Sequence, residues 1–283
     1  MRYANFAPSL NVGEMTNFIQ RTITGILFTI IVIGAIILHP LSFGTLFLAV
    51  IIFGIREFKR MIDDNQTKVQ YISAIIISTL IFVLTFAIHY WQFNIKWITL
   101  LVPAMWLPFL VELFKKNPKP FRNIALTFLS IIYITLPITL LHFLAFKDGQ
   151  FGALPVLYFF ILVWVNDSGA YLVGVSMGKH KLYERISPKK TIEGFAGGIA
   201  FNLAAAYLIH NYSQIGNLWI WLVAALVISV AGTAGDLIES MLKRSLNVKD
   251  SGTFLPGHGG ILDRFDAALF TAPMVSLLFY YFT

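Results

Sequence analysis

An all-α, polytopic membrane bundle of about nine transmembrane helices is the fold class this sequence predicts, and three observations lead to it. Of its 283 residues, 57% are hydrophobic and only 12% charged, and the mean hydropathy of +0.74 is too high for a surface that faces water. The apolar residues run in unbroken stretches near the ~20 residues that span a bilayer, without the alternation of a transmembrane barrel. The charged residues collect in the short segments between those stretches, and in lipid a single segment satisfies its own backbone only as a helix.

Taken in order, the runs fall at 18–38, 42–58, 70–90, 97–113, 123–145, 153–175, 194–210, 218–238 and 266–282. The first lacks the brief apolar core and small-residue cleavage site of a signal peptide, so it reads as a retained helix. With the N-terminus cytoplasmic, every basic residue except Lys96 and Lys147 falls on the cytoplasmic side, as the positive-inside rule requires. Both polar loops, 176–193 and 239–265, then open to the cytoplasm, where nucleotides and metal ions are available. The net charge of +7 belongs to such short loops, which argues for anionic lipid and anionic substrate as partners and against nucleic acid. Cysteine is absent, excluding disulfides and thiolate metal sites. Residues 1–283 read as one membrane domain: 1–145 a scaffold of helices with few buried polar residues, and 146–283 a catalytic half with nearly all the chemistry-capable ones. Small residues on outward faces leave a homodimer open.

The densest chemistry lies between Ser240 and Asp266. If the eighth helix continues beyond its apolar run, Asp236, Glu239, Ser240 and Lys243 stand at i, i+3, i+4 and i+7 on one face. An intrahelical ion pair accounts for Glu239 and Lys243 as well as any functional role does. Asp236, after the small residues Ala231–Gly235, needs a cationic partner, and a metal ion suits it better than a side chain. Beyond Lys249 and Asp250, Leu255-Pro256-Gly257-His258-Gly259-Gly260 leads into the ninth helix. Glycines ahead of a helix let amides turn toward a ligand, and the helix N-terminus favours negative charge. Alone this would be a surface turn; with Lys243, Arg244, Lys249 and Arg264 around it, it reads as a phosphate site. Asp263 and Asp266, three apart, fit Mg²⁺, which takes oxygen ligands and bridges to substrate phosphates. Helix capping is the competing account, better for one aspartate than for two. His258 could contact phosphate, act as a base or merely occupy the turn. His39, His89, His142 and His210 lie at expected membrane edges without ligand spacing and receive no role.

A second cluster ends the sixth run. Asp167, Ala170, Tyr171 and Gly174 share a helical stripe, so the acid faces the bundle beside small residues. An unneutralised carboxylate there costs about 3 kcal/mol on insertion scales. Asp167 is therefore expected to meet a metal ion or a basic side chain, whereas a helix–helix hydrogen bond accounts for Asn166. The following loop carries Lys179, Lys181 and Arg185, for which a topology signal is a sufficient reading, and then Ser187-Pro188-Lys189-Lys190-Thr191-Ile192-Glu193-Gly194. A turn, two cations and a cap from Thr191 make this stretch a second phosphate-binding element.

Across 27 positions without a gap, Ser240, Lys243, Arg244, Lys249, Asp250, His258, Gly259, Gly260, Asp263, Arg264 and Asp266 keep one spacing, and it resembles the signature of the phosphatidate cytidylyltransferases, or CDP-diacylglycerol synthases. The Ser187–Gly194 loop and Asp167 are similar to that family too. The N-terminal half resembles it only in being polytopic, and Met177 stands before Gly178 where the family has an aromatic residue. The resemblance implies transfer of CMP from CTP to phosphatidate, giving CDP-diacylglycerol and pyrophosphate, in a bacterial inner (plasma) membrane with the site cytoplasmic. It implies a requirement for Mg²⁺, with Asp236 and Asp263 as ligands in a site with room for a second cation. The chemistry is consistent: two anions must be brought together, and metal with Lys or Arg clamps lowers their repulsion. A phosphate nucleophile is already deprotonated and needs no strong base. The expected site thus has Asp236, Asp263, Asp167 and Asp266 at the metal, with Asp236, Asp263, Lys243 and Lys249 catalytic. Lys189, Lys190, Ser240, Arg244, Asp250, His258, Gly259, Gly260 and Arg264 would hold CTP and phosphatidate. Two other readings stay open: a CTP-dependent polyprenol or phytol kinase, which would release CDP instead of pyrophosphate, and an ion-coupled transporter using the intramembrane acids. A CDP-alcohol phosphotransferase lacks its Asp-Gly-x-x-Ala-Arg helix here.

Overall fold

The computed structural model describes residues 12–64, 66–248, 251–252 and 259–283, and among them nine helical segments carry almost all the regular structure. These are α1 (Val12–Leu38), α2 (Pro40–Ile62), α3 (Tyr71–Tyr90), α4 (Ile95–Leu113), α5 (Pro120–Ala145), α6 (Ala153–Met177), α7 (Ile192–Ser213), α8 (Leu218–Ser245) and α9 (Leu262–Phe282). Eight are long and apolar enough to cross a membrane, and α1 contains the shorter apolar stretch Thr22–Leu38. Every expected run has its helix. Ile30, Ile72, Leu113 and Val175 lie exposed on outward faces, a surface suited to lipid rather than water.

Local chemistry sets the element ends. His39 caps α2: its Nδ1 accepts from the Leu41 amide at 3.1 Å, the Ser42 hydroxyl accepts from the His39 amide at 3.1 Å, and Pro40 opens the helix where no N–H is needed. The α4 segment differs from an unbroken span. It begins as a 3₁₀ turn, Ile95–Leu100, and divides again at Trp106 between Pro103 and Pro108, each proline removing a rung of the helix. In α5 the turn Ile131–Thr135 widens to a π-helix just before Pro137, where Leu136 bonds back to the Ile131 carbonyl. Two hairpins interrupt the helices, β1 (Phe146–Lys147) with β2 (Gln150–Phe151), and β3 (Lys181–Tyr183) with β4 (Ser187–Thr191), both antiparallel. The first turns through Asp148 and Gly149, both with positive φ (50° and 76°), as a two-residue hairpin loop demands.

Close approach of α6 to α7 rests on missing side chains: a Cβ at Gly197 would strike Val173, and one at Gly198 would sit 3.0 Å from Asn166 Oδ1. Phe265 on α9 packs edge-on against Phe28, Phe47 and Phe160, joining α1, α2, α6 and α9. The N-terminal half departs from the apolar scaffold expected of it. Gln70 Nε2 and Asn123 Nδ2 donate to buried Glu112 Oε1 at 2.9 and 3.2 Å, Asn117 donates to Glu112 Oε2 at 2.7 Å, and Asn123 Oδ1 accepts from the Lys68 amide at 2.8 Å. Helix periodicity alone does not tell an acid bound by its neighbours from one facing solvent, so this network was hidden.

Candidate active site

The polar side chains meet at the end of the bundle where α2, α6 and α8 finish and α7 and α9 begin. As expected, Thr191 caps α7, its hydroxyl accepting from the Gly194 amide at 3.1 Å. Glu193 in the same turn accepts from the Lys179 and His180 amides at 3.0 and 3.1 Å and from His180 Nδ1 at 2.6 Å, which pins the β3–β4 hairpin to α7. The hairpin so held brings Lys190 onto Asp236 of α8 as an ion pair. Beneath it lies a cavity of about 610 Å³ lined by Asp167, Tyr171, Lys181, Lys189, Lys190 and Asp236 among others. The whole stripe Asp167, Ala170, Tyr171 and Gly174 lines that cavity.

α8 continues to Ser245, so Asp236, Glu239, Ser240 and Lys243 do share one helix. Ser240 Oγ donates to Asp236 Oδ1 at 3.4 Å. The Lys243 ammonium lies 3.3 Å from Glu239 Oε1 and donates to Asp263 Oδ1 at 2.7 Å, so a single cation ties α8 to α9. Asp263 Oδ2 accepts from the Gly260 amide at 2.8 Å, the Ser251 amide at 3.0 Å and Ser251 Oγ at 2.9 Å. Gly259 stands at φ +82°, and a Cβ there would sit 2.5 Å from Asp263 Oδ2, two reasons for glycine at this position. The Gly260 amide, expected to face a phosphate, is thus turned onto the chain's own carboxylate one helical turn ahead.

Asp236 and Asp263 therefore lie at the same end of adjacent helices. Asp266 is within electrostatic range of Asp236 and Asp167, and Glu239 within range of Asp263 and Asp266. A second cavity, about 340 Å³, opens between α1, α6 and α9, lined by Thr24, Phe28, Trp164, Asp263, Arg264 and Asp266, and it shares Asp167 with the first. Lys189 is exposed on the hairpin and Arg244 is exposed at the end of α8. Lys249, Asp250 and His258 lie outside the described residues.

Crowded carboxylates in this number are the hard oxygen donors a divalent cation prefers. Both Glu239 oxygens are buried and, apart from the Lys243 ammonium 3.3 Å from Oε1, meet no donor among the described residues, and Lys190 and Lys243 occupy the cationic positions beside Asp236 and Asp263. Among the described residues no three acidic or histidine side chains already converge on a common ion position. The donor chemistry fits such an ion; ammonium groups stand beside Asp236 and Asp263, while Asp167 accepts from Asn166 Nδ2 on its own helix at 3.4 Å, in place of the helix–helix bond expected for Asn166.

A profile of the cytidylyltransferase family matches residues 19–282. The chain belongs to the cytidylyltransferase family. The phosphatidate cytidylyltransferase of Bacillus subtilis is 36% identical to it over 269 residues, covering 93% of this chain and 98% of that protein. That of Staphylococcus haemolyticus is 34% identical over 261 residues, covering 91% and 97%. That of Staphylococcus aureus (strain COL) is 44% identical over 165 residues, covering 58% and 62%.

In this cytidylyltransferase-family site, three contributors escape a reading of the sequence. Glu57 on α2 is buried and bonds to the residues that open α9. Tyr133, on the π turn of α5, buries its hydroxyl without a partner among the described residues, within electrostatic range of Glu239, Asp266 and Asp236. His180 braces the hairpin through Glu193 of the Ser187–Gly194 loop. Only the π turn had a local signal, the proline that follows it.

Proposed function

We propose that this chain is a phosphatidate cytidylyltransferase, moving CMP from CTP to phosphatidate and releasing pyrophosphate, at the cytoplasmic face of a bacterial inner (plasma) membrane. The observation that carries the reading is the pair of cavities sharing Asp167: one is walled by lysines, the other reaches α1, whose outer residues Ile23, Ile26 and Ile30 are exposed. A reaction between a soluble polyanion and a lipid anion needs two such entrances converging on one charged wall. The bias of basic residues toward one set of loops supports the cytoplasmic placement.

In this reading CTP takes the larger cavity, with Lys181, Lys189 and Lys190 against its phosphates, and the lipid phosphate takes the smaller one near Arg264. Its acyl chains leave along α1 into the inner leaflet. One oxygen of the lipid phosphate attacks the α-phosphorus, the α–β phosphoanhydride bond breaks, and pyrophosphate departs with the bonding electrons. Lys243 holds Asp263 and Ser240 holds Asp236 in place throughout. Mg²⁺, with a second cation accommodated, would be held by Asp236, Asp263, Asp167 and Asp266 and would neutralise developing phosphate charge. Because the attacking phosphate is already ionised, no side chain need act as a strong base.

Purified protein in detergent, given radiolabelled CTP, phosphatidate and Mg²⁺, is expected to form labelled CDP-diacylglycerol and pyrophosphate. Release of CDP with phosphorylation of a polyprenol, and no reaction with phosphatidate, would replace this reading with the lipid kinase.

A further inference from the structure

Glu57 lies in the half of the chain furthest in sequence from the chemistry, in the stretch Arg56-Glu57-Phe58-Lys59-Arg60 that reads as the charged end of a helix. Its side chain nevertheless turns inward and is 4% exposed. Oε1 accepts from the Ile261 amide at 2.9 Å, and Oε2 accepts from the Leu262 amide at 3.0 Å and from Ser251 Oγ at 3.2 Å. Two of these donors are free amides at the head of α9, which has no side-chain cap of its own. The third, Ser251 Oγ, also lies 2.9 Å from Asp263 Oδ2, so one hydroxyl stands between the two carboxylates. The contact leaves no room for substitution: a Cβ at Gly252 would fall 2.7 Å from Glu57 Oε1, and one at Gly260 would collide with Glu57 Oε2 and Ser251 Oγ.

We infer that Glu57 is a positioning residue: it seats the start of α9 and, through Ser251, fixes where the Asp263 carboxylate stands. The inference rests on the transferase reading above in taking Asp263 as part of the reacting site. A burial role alone would be met by an apolar side chain; a carboxylate is required because both of its edges face N–H or O–H donors. A glutamine of the same shape offers one accepting edge and one donating edge, so its amide must confront either the Ile261 amide or the Leu262 amide and Ser251.

The test compares full-length wild type with E57Q, E57D and E57A, each freed of aggregate by size exclusion and counted per folded molecule. E57Q is expected to remain folded and to lose roughly 10–100-fold in turnover, the usual cost of removing a partner that orients a metal-binding group. The Mg²⁺ concentration for half-maximal rate is expected to rise, while KM for phosphatidate stays near that of wild type. E57D, which keeps the charge but stops one methylene short, recovers part of the loss. A readout independent of turnover is amide hydrogen exchange, which should quicken at Ile261 and Leu262 in E57Q without Mg²⁺ or substrate. Normal turnover in folded E57Q, or a loss that tracks only the folded fraction in all three variants, overturns the inference. Wild type that makes no CDP-diacylglycerol, together with faster exchange in E57Q, retires the assigned reaction and upholds the seating of α9 by Glu57.

Discussion

Asp263 receives four hydrogen bonds, from Lys243, Gly260 and both donors of Ser251. Asp263→Asn keeps the shape but gives up the charge that faces Lys243. Turnover should fall by at least about 100-fold, the upper cost seen for the outer partners of such groups, with the protein still extracted as a single species; assay of labelled CTP conversion beside size exclusion checks it. Lys190→Met removes the ammonium between the hairpin and Asp236 and, in the proposed reaction, a phosphate contact in the larger cavity. A charged hydrogen bond is worth about 1.5–3 kcal/mol, so kcat/KM for CTP should drop roughly ten- to a hundredfold, with KM for phosphatidate little changed; initial rates against each substrate separate the two. Asp236, Asp263 and Lys190 stand out as candidates in the sequence because an acid beside an apolar run and paired cations in a turn have few innocent explanations, whereas Lys243 is accounted for equally well by an intrahelical pair with Glu239. Glu57 does not stand out, since three basic neighbours make it look like a solvated helix end, and only the return of the chain two hundred residues later reveals its partners.

The helices are held at working distance by residues without side chains. Gly235, one position before Asp236, faces Phe270 of α9, where a Cβ would fall 2.7 Å from the ring. Gly235→Val should push α8 from α9, costing about 1–3 kcal/mol of stability as overpacked sites do and lengthening the reach from Lys243 to Asp263. A lowered melting temperature together with lower turnover per folded molecule is the expected result, while loss of neither would mean the two helices part without consequence. Helix positions were legible because hydropathy over twenty residues is a strong signal, whereas the broken course of α4 and the π turn of α5 depend on single prolines whose effect is settled by packing. The two hairpins were too short for any periodicity to declare them, although Asp148-Gly149 is itself a turn signal.

For the molecule as a whole, the absence of cysteine makes its topology directly measurable. Single cysteines at Asp148 and at Glu184, in the two hairpins, are expected to react with an impermeant maleimide from opposite sides of sealed cells, Asp148→Cys from outside and Glu184→Cys only after permeabilisation. Labelling of both from one side would refute the expected topology, and the reverse pattern the proposed orientation. Chelation gives a second molecular test: EDTA should abolish product formation, and returning Mg²⁺ should restore it and raise the melting temperature, since an ion bound only by the folded state stabilises that state. The seating of α9 by Glu57 also has a consequence in time. Glu57 leaves the ribosome 205 residues before its partner Leu262, a wait of roughly 10–40 s at ordinary rates of synthesis. Through that interval the carboxylate lacks the amides of α9, and Asp263, which the proposed reaction requires, is not yet made, so a chain cut short upstream of α9 is expected to show no CTP-dependent turnover.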